Sequence, residues 1–177
     1  MKERGAGSAR VSLQTAEKDT AEVYFKKQVK NPGLFFCLYD TDEWPETEAF
    51  MRKVMQEYPN LKVLIYFAGG KMEPKPAAMN MLVADKTDFN LFGKAKPVLR
   101  QWLQGQKFDL LLVFDSKGNE RFRKIVVAVE SQLKAGWRTG KELPLTDISL
   151  SKPGEMLRYD AFYNALKQYF KQLNIRM

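Results

Sequence analysis

Three aspartates and one short polar loop are the residues whose types and spacing could do chemistry. Asp40 and Asp42 follow the apolar run Leu34–Tyr39 (LFFCLY), and Asp115 follows Phe108–Phe114 (FDLLLVF). If the two runs are neighbouring parallel strands, all three carboxylates reach one edge of a sheet, where they could hold Mg²⁺ or take part in acid/base work. The ordinary alternative is that Asp40 and Asp42 cap the following helix and Asp115 closes an Asx-turn. Directly after Asp115 comes Ser116-Lys117-Gly118-Asn119. At a helix start such a loop could cradle one phosphate with backbone N–H groups while Lys117 adds charge. Asp40, Thr41, Asp115, Ser116, Lys117, Gly118 and Asn119 are therefore the candidate ligand-binding set, with a plain strand-to-helix turn as the alternative.

Much other chemistry is excluded. The chain has no histidine, so it has no Ser-His-Asp or Cys-His pair, no histidine zinc site and no imidazole proton shuttle. It has neither G-x-G-x-x-G nor G-x-x-x-x-G-K-[ST], so neither a dinucleotide nor a P-loop signature is present. The one cysteine, Cys37, lies inside an apolar run and reads as a buried inert thiol, which fits a reducing compartment. No catalytic residue, metal ligand or cofactor is assigned on these grounds, and the chain leans away from an enzyme.

Charge points to a partner. The net charge is +8, unevenly spread: five acids and no base fall in Asp40–Glu48, whereas Lys71–Lys107 and Asp115–Lys141 each hold seven bases against three acids. An acidic end loop on a basic body is expected, and such a body attracts nucleic acid, phosphorylated ligands or anionic membrane surfaces through a screened field, the alternative being a lysine-rich surface that only keeps the chain in solution. Phe89, Phe92, Lys94 and Lys96 interleave aromatics with bases near Trp102, as a nucleic-acid or protein contact surface does. Aromatics that anchor a long loop on the core are the alternative. Arg121, Arg123 and Lys124 fall on the polar side of a helix and extend the candidate partner surface, unless they simply form a solvated face.

The elements that must position these residues follow from apolar pattern and breaks. A length of 177 residues with 45% apolar content suits one folded domain. Residues 1–10 read as a tail and Thr15–Lys30 as an irregular helix, leaving a domain over residues 31–177. Leu34–Tyr39, Leu61–Phe67 and Phe108–Phe114 are continuous apolar runs ending in polar or glycine residues, the pattern of strands buried on both faces. Met79–Ala84, Lys134–Trp137 and Leu145–Leu150 are shorter strands, the first and last at sheet edges. Helices are expected from Pro45 to Tyr58, from Pro97 to Leu103 with Val98, Trp102 and Leu103 inward, from an Asn119 cap to about Leu133, and from Met156 to Leu173. Strands alternating with helices give an α/β fold. We expect a Rossmann-like three-layer sandwich with a mostly parallel sheet of about five or six strands and the C-terminal helix packed on it. No run approaches the roughly 20 apolar residues of a membrane helix, and the first residues lack a signal peptide, so a cytoplasmic protein is expected.

Asp88–Lys94 (DFNLFGK), Lys107–Leu111 (KFDLL) and Leu133–Gly136 (LKAG) carry a resemblance, together with Leu38-Tyr39-Asp40, Val63–Phe67 and Tyr169 in the final helix. With these, the span from Leu34 to Leu173 resembles an uncharacterised cytoplasmic α/β family associated with Bacteroidetes genomes. The resemblance implies a fold and a compartment, and no chemistry. Phe108–Gly136 alone looks like part of the acceptor-side domain of heptosyltransferase-type glycosyltransferases. Those enzymes need a second Rossmann-like domain, for which 177 residues leave no room, so this likeness supports the fold. The function expected is a non-catalytic binding domain whose basic surface meets an acidic protein, nucleic acid or ribonucleoprotein. The alternatives are a module for a nucleotide or sugar phosphate and a carboxylate/metal enzyme.

Overall fold

The computed structural model describes residues 28–73, 75, 78, 80–137, 146–150 and 158–177. Strand β1 (Pro32–Leu38) is buried at every position. Residues with no polar alternation can sit only in a strand covered on both faces. Helix α1 (Trp44–Glu57) follows with proline in its first turn, and the chain returns as β2 (Lys62–Phe67). Then come β3 (Met81–Asp85), α2 (Pro97–Gln104), β4 (Lys107–Asp115) and α3 (Glu120–Val127). The last elements are β5 (Glu130–Trp137), β6 (Ile148–Leu150) and α4 (Tyr159–Gln172).

The six strands form one sheet in the order β3-β2-β1-β4-β5-β6, and each neighbouring pair is parallel. This is the Rossmann order, in which the chain winds outward from β1 one way and from β4 the other. Two apolar layers cover the sheet. Leu34, Phe36 and Leu38 of β1 pack with Phe50 and Val54 of α1 and Phe162, Leu166 and Phe170 of α4. On the opposite face Phe35 and Cys37 pack with Leu99 and Leu103 of α2 and Phe122, Ile125 and Val126 of α3. Phe114 centres the first layer, with Phe36, Trp137, Tyr159 and Phe162 rings all within 5.4 Å of its own by centroid. The three long apolar runs thus lie side by side in the dry centre, and the three-layer α/β fold stands.

Some sequence expectations need correction. The helix after Asn119 ends at Val127 rather than near Leu133, and β5 begins at Glu130. A parallel neighbour must restart at the amino end of β4, where Lys107 pairs with Glu130, so the crossover has no length to spare. Within β5, Leu133 and Ala135 point inward in strand alternation. In α2, Leu99 and Leu103 face the core while Val98 is 70% exposed. The helical period sets Val98 on the outer side once Leu99 is inward. The tail and the part of the expected first helix that precedes Gln28 lie outside the described residues, as do Met156 and Leu157 of the final helix. Val29 is buried, and its N–H donates to the Arg176 carbonyl at 2.9 Å.

Candidate functional site

In an open parallel sheet ligands collect where the strand order reverses, here between the carboxyl ends of β1 and β4. Register sets Cys37 opposite both Tyr66 and Asp115, so these three side chains form a row on the α2/α3 face. Asp115 is 4% exposed and fully engaged. Its Oδ1 accepts from the Tyr39 hydroxyl at 2.7 Å, from Lys117 N at 3.1 Å and from Gly118 N at 3.0 Å. Its Oδ2 accepts from Asn119 N at 2.6 Å. Gly118, at φ 77°, supplies the left-handed residue that folds the loop round the carboxylate. Asn119 then caps α3, its Oδ1 accepting from Arg121 N and Phe122 N.

The chemical consequence is definite. The N–H groups that could cradle a phosphate already surround a carboxylate of the chain itself. Ser116 and Lys117 remain exposed at the loop's outer side, with Lys117 Nζ 4.6 Å above the Tyr39 ring centroid. In the adjacent loop Asp40 is exposed and accepts from Asp42 N at 3.2 Å, and Thr41 Oγ1 lies 3.4 Å from Asp40 Oδ1. The candidate ligand set therefore forms two neighbouring loops joined by the Tyr39 hydroxyl. Asp40, Asp42 and Asp115 do not gather: among the described residues no three His, Cys, Asp or Glu side chains come together as a metal site.

Burial, reinforced by Asp115, pushes the Cys37 thiol well above its ordinary range. Burial and the hydrogen bond to Asp115 do the same to Tyr39. Both groups stay protonated at neutral pH, so Cys37 is no thiolate nucleophile and Tyr39 is a donor rather than a base. Burial also raises Tyr66, an effect that the nearby Arg121 side chain opposes.

The end of β3 is locked as well. Asp85 is fully buried and accepts from Thr87 N at 2.7 Å, Thr87 Oγ1 at 2.6 Å and Met72 N at 3.2 Å, with Lys75 Nζ at 3.3 Å. Burial alone would raise this carboxyl, but the Thr87 and Met72 hydrogen bonds and the Lys75 charge outweigh it and hold it below its ordinary value. Asp88 pairs with Lys75 and accepts from Asp85 N.

From this anchor the chain rises into a tight turn. Phe89 is buried with its ring edge-on to Tyr66 at 5.9 Å, and it bridges to Ala95 across the turn. Asn90 Oδ1 accepts from Phe92 N at 3.0 Å and Lys94 N at 2.9 Å, Gly93 N donates to Asn90 O at 2.9 Å, and Gly93 takes φ 70°. Leu91 and Phe92 at the tip are 102% and 86% exposed. A Cβ built on Gly93 would stand 3.5 Å from Lys124 Nζ, so α3 runs beside the turn. Of the expected partner surface, Phe92, Lys94, Lys96, Arg121 and Lys124 are exposed, and Arg123 is half-buried. Phe89 is the loop anchor and Phe92 is not.

Sequence reasoning missed Tyr39, which reads as the last apolar residue of a strand, and Leu91, which carries no signal of its own. It also missed the Lys75-Asp85-Asp88 group, since a fully buried aspartate is visible only once its donors are in place.

The described residues thus define a Rossmann-like α/β domain whose strand-end loops are closed by their own side chains and whose charged, apolar-tipped turn lies beside α3. The chain belongs to the family of unknown function DUF6913, whose model matches residues 8–173. No curated protein and no solved structure matches it.

Proposed function

We propose that this protein is a non-catalytic binding domain that uses the basic face formed by the 89–95 turn and α3 to hold a polyanionic partner, an acidic protein or a nucleic-acid-containing one. The observation that carries this reading is the ordered turn: it is pinned by Asn90, Gly93 and Phe89, and it holds two apolar side chains in water beside Lys94, Lys96, Arg121 and Lys124. A cationic surface of this kind accelerates encounter with anions and is screened by salt. The saturated donors round Asp115 count against a phosphorylated small ligand between β1 and β4. The scattered carboxylates give the metal-enzyme reading no support. The likeness of Phe108–Gly136 to heptosyltransferase-type enzymes supports the strand–helix fold, since activity resides in sites. A single domain over residues 31–177 in the reducing cytoplasm completes the reading, supported by a buried unpaired thiol. Among the described residues no helix is long and apolar enough to cross a membrane.

The test is fluorescence anisotropy of labelled polyglutamate and labelled oligouridylate with the purified chain. Binding to at least one is expected to fall steeply from about 50 to about 200 mM salt and to be lost in Lys94→Glu/Arg121→Glu. No binding, or binding indifferent to both salt and charge reversal, would overturn the reading.

A further inference from the structure

Resting on that reading, the turn says which class of polyanion the face takes. Leu91 and Phe92 are not exposed because their loop is loose. Four hydrogen bonds within residues 90–94 fix the tip, and Lys96 N closes its base on Asp88 O at 2.8 Å. The chain thus holds in water a leucine and a phenylalanine that it could have turned inward. Two adjacent large apolar side chains framed by cations have the anatomy of a protein hot spot, an apolar centre inside a charged rim. Beside them α3 presents Lys124, whose Nζ would stand 3.5 Å from a Cβ at Gly93, with Arg121 one turn earlier on the same exposed row.

A single-stranded nucleic acid would use the surface poorly. Stacking needs aromatic planes, and at the tip only Phe92 offers one. Leu91 has nothing to offer a base face. Glu120, paired with Lys124 at 3.4 Å, would stand against the phosphates. A second copy meeting this one face to face fits no better, because two such faces would bring like charges together.

We infer that the Leu91–Phe92 tip enters an apolar pocket rimmed by carboxylates on an acidic protein partner, with Lys94, Lys96 and Arg121 pairing to that rim. The full chain carrying p-benzoylphenylalanine in place of Phe92 is irradiated in its source cells, beside a control carrying it in place of Gln168, exposed on α4. The expected result is a protein adduct from position 92 that position 168 does not give. Once purified, that protein binds the wild-type chain and loses at least about tenfold in affinity to Phe92→Ala and to Arg121→Glu, with only the second variant flattening the salt dependence. An adduct to nucleic acid would overturn this inference and leave the polyanion reading standing. An adduct to a second copy, or a protein whose binding survives Phe92→Ala, would also overturn it. No adduct from position 92 while salt-sensitive binding persists would overturn this inference alone, and no adduct together with no salt-sensitive binding to polyglutamate or oligouridylate would remove both.

Discussion

The hydroxyl of Tyr39 at the end of β1 donates to Oδ1 of Asp115 at the end of β4, 2.7 Å away, across the point where the strand order reverses. In Rossmann-like sheets this is the crevice that receives a ligand. Here a side chain of the protein spans it. Tyr39→Phe is expected to cost about 1 to 2 kcal/mol, since a hydrogen bond to a charged acceptor is lost while three backbone donors remain. Asp115→Ala is expected to cost about 3 kcal/mol, because the donors of Lys117, Gly118 and Asn119 lose their acceptor together. Urea titrations with an unchanged slope check both, and a neutral Asp115→Ala would refute the account of this loop.

Cys37 lies one pleat below the same bridge, 3% exposed, with burial and Asp115 both holding its thiol above the ordinary range. The native chain is expected to resist a disulfide reagent such as DTNB at neutral pH and to release one thiol equivalent only when unfolded by denaturant. Rapid stoichiometric labelling of the folded chain would show the thiol to be accessible.

Alkali should unfold this protein through its tyrosines. Burial and the nearby Glu57 charge push Tyr58 up to about 12, and burial pushes Tyr159 up to about 12 against an opposing hydrogen bond to Thr47, both from an ordinary value of 10. A raised phenol contributes stability that is complete below the unfolded value and is lost as pH rises through the folded one. The stability therefore holds to about pH 10 and falls between about pH 10 and 12, with Tyr159 accounting for about 2 to 3 kcal/mol of the loss. Tyr159→Phe should lower stability at pH 8 by removing the bond to Thr47 and should flatten the alkaline fall. An identical alkaline slope in wild type and variant would contradict the assignment.

Two glycines should respond oppositely to alanine. A Cβ on Gly136 would stand 2.1 Å from the Val113 carbonyl oxygen and 3.1 Å from Thr146 Cγ2, so β4 and β5 must separate. Gly136→Ala is expected to cost about 3 kcal/mol or more. Gly105, at the end of α2 with helical backbone and no contact nearer than 3.7 Å, should accept alanine at no cost or with a gain of about 0.5 kcal/mol. Thermal melts of the two variants decide it.

The fold was legible because its central strands have no solvent face. LFFCLY, LKVLIYF and FDLLLVF carry no polar alternation, and such runs admit little besides a covered parallel sheet. Leu133 was misplaced because Phe122, Ile125, Val126, Val129 and Leu133 continue a helical spacing straight through the turn at Ala128. Only the register of β5 on β4 ends it. Two caps were equally readable, Asn119 on the first turn of α3 and Asp115 on its loop, but Asp40, expected with Asp42 to cap the helix, caps only the short turn Thr41–Glu43, and Glu43 at the start of α1 makes no side-chain cap bond. The candidate surface was half legible. Its bases stand out in composition, but Phe89 and Phe92 look alike in the chain. Only the bridge from Phe89 to Ala95 decides which of them is buried.

The measurement that bears most directly on the proposed surface is an amide chemical-shift titration of the labelled chain with unlabelled polyglutamate at low salt. Shifts are expected to concentrate at Leu91 to Lys96 and at Arg121 to Lys124, to fade with added salt, and to spare the acidic turn at Asp40 to Glu43. Shifts spread evenly over the chain, centred on the 40–43 turn, or absent at every ratio would contradict the claim that the 89–95 turn and α3 form a binding face.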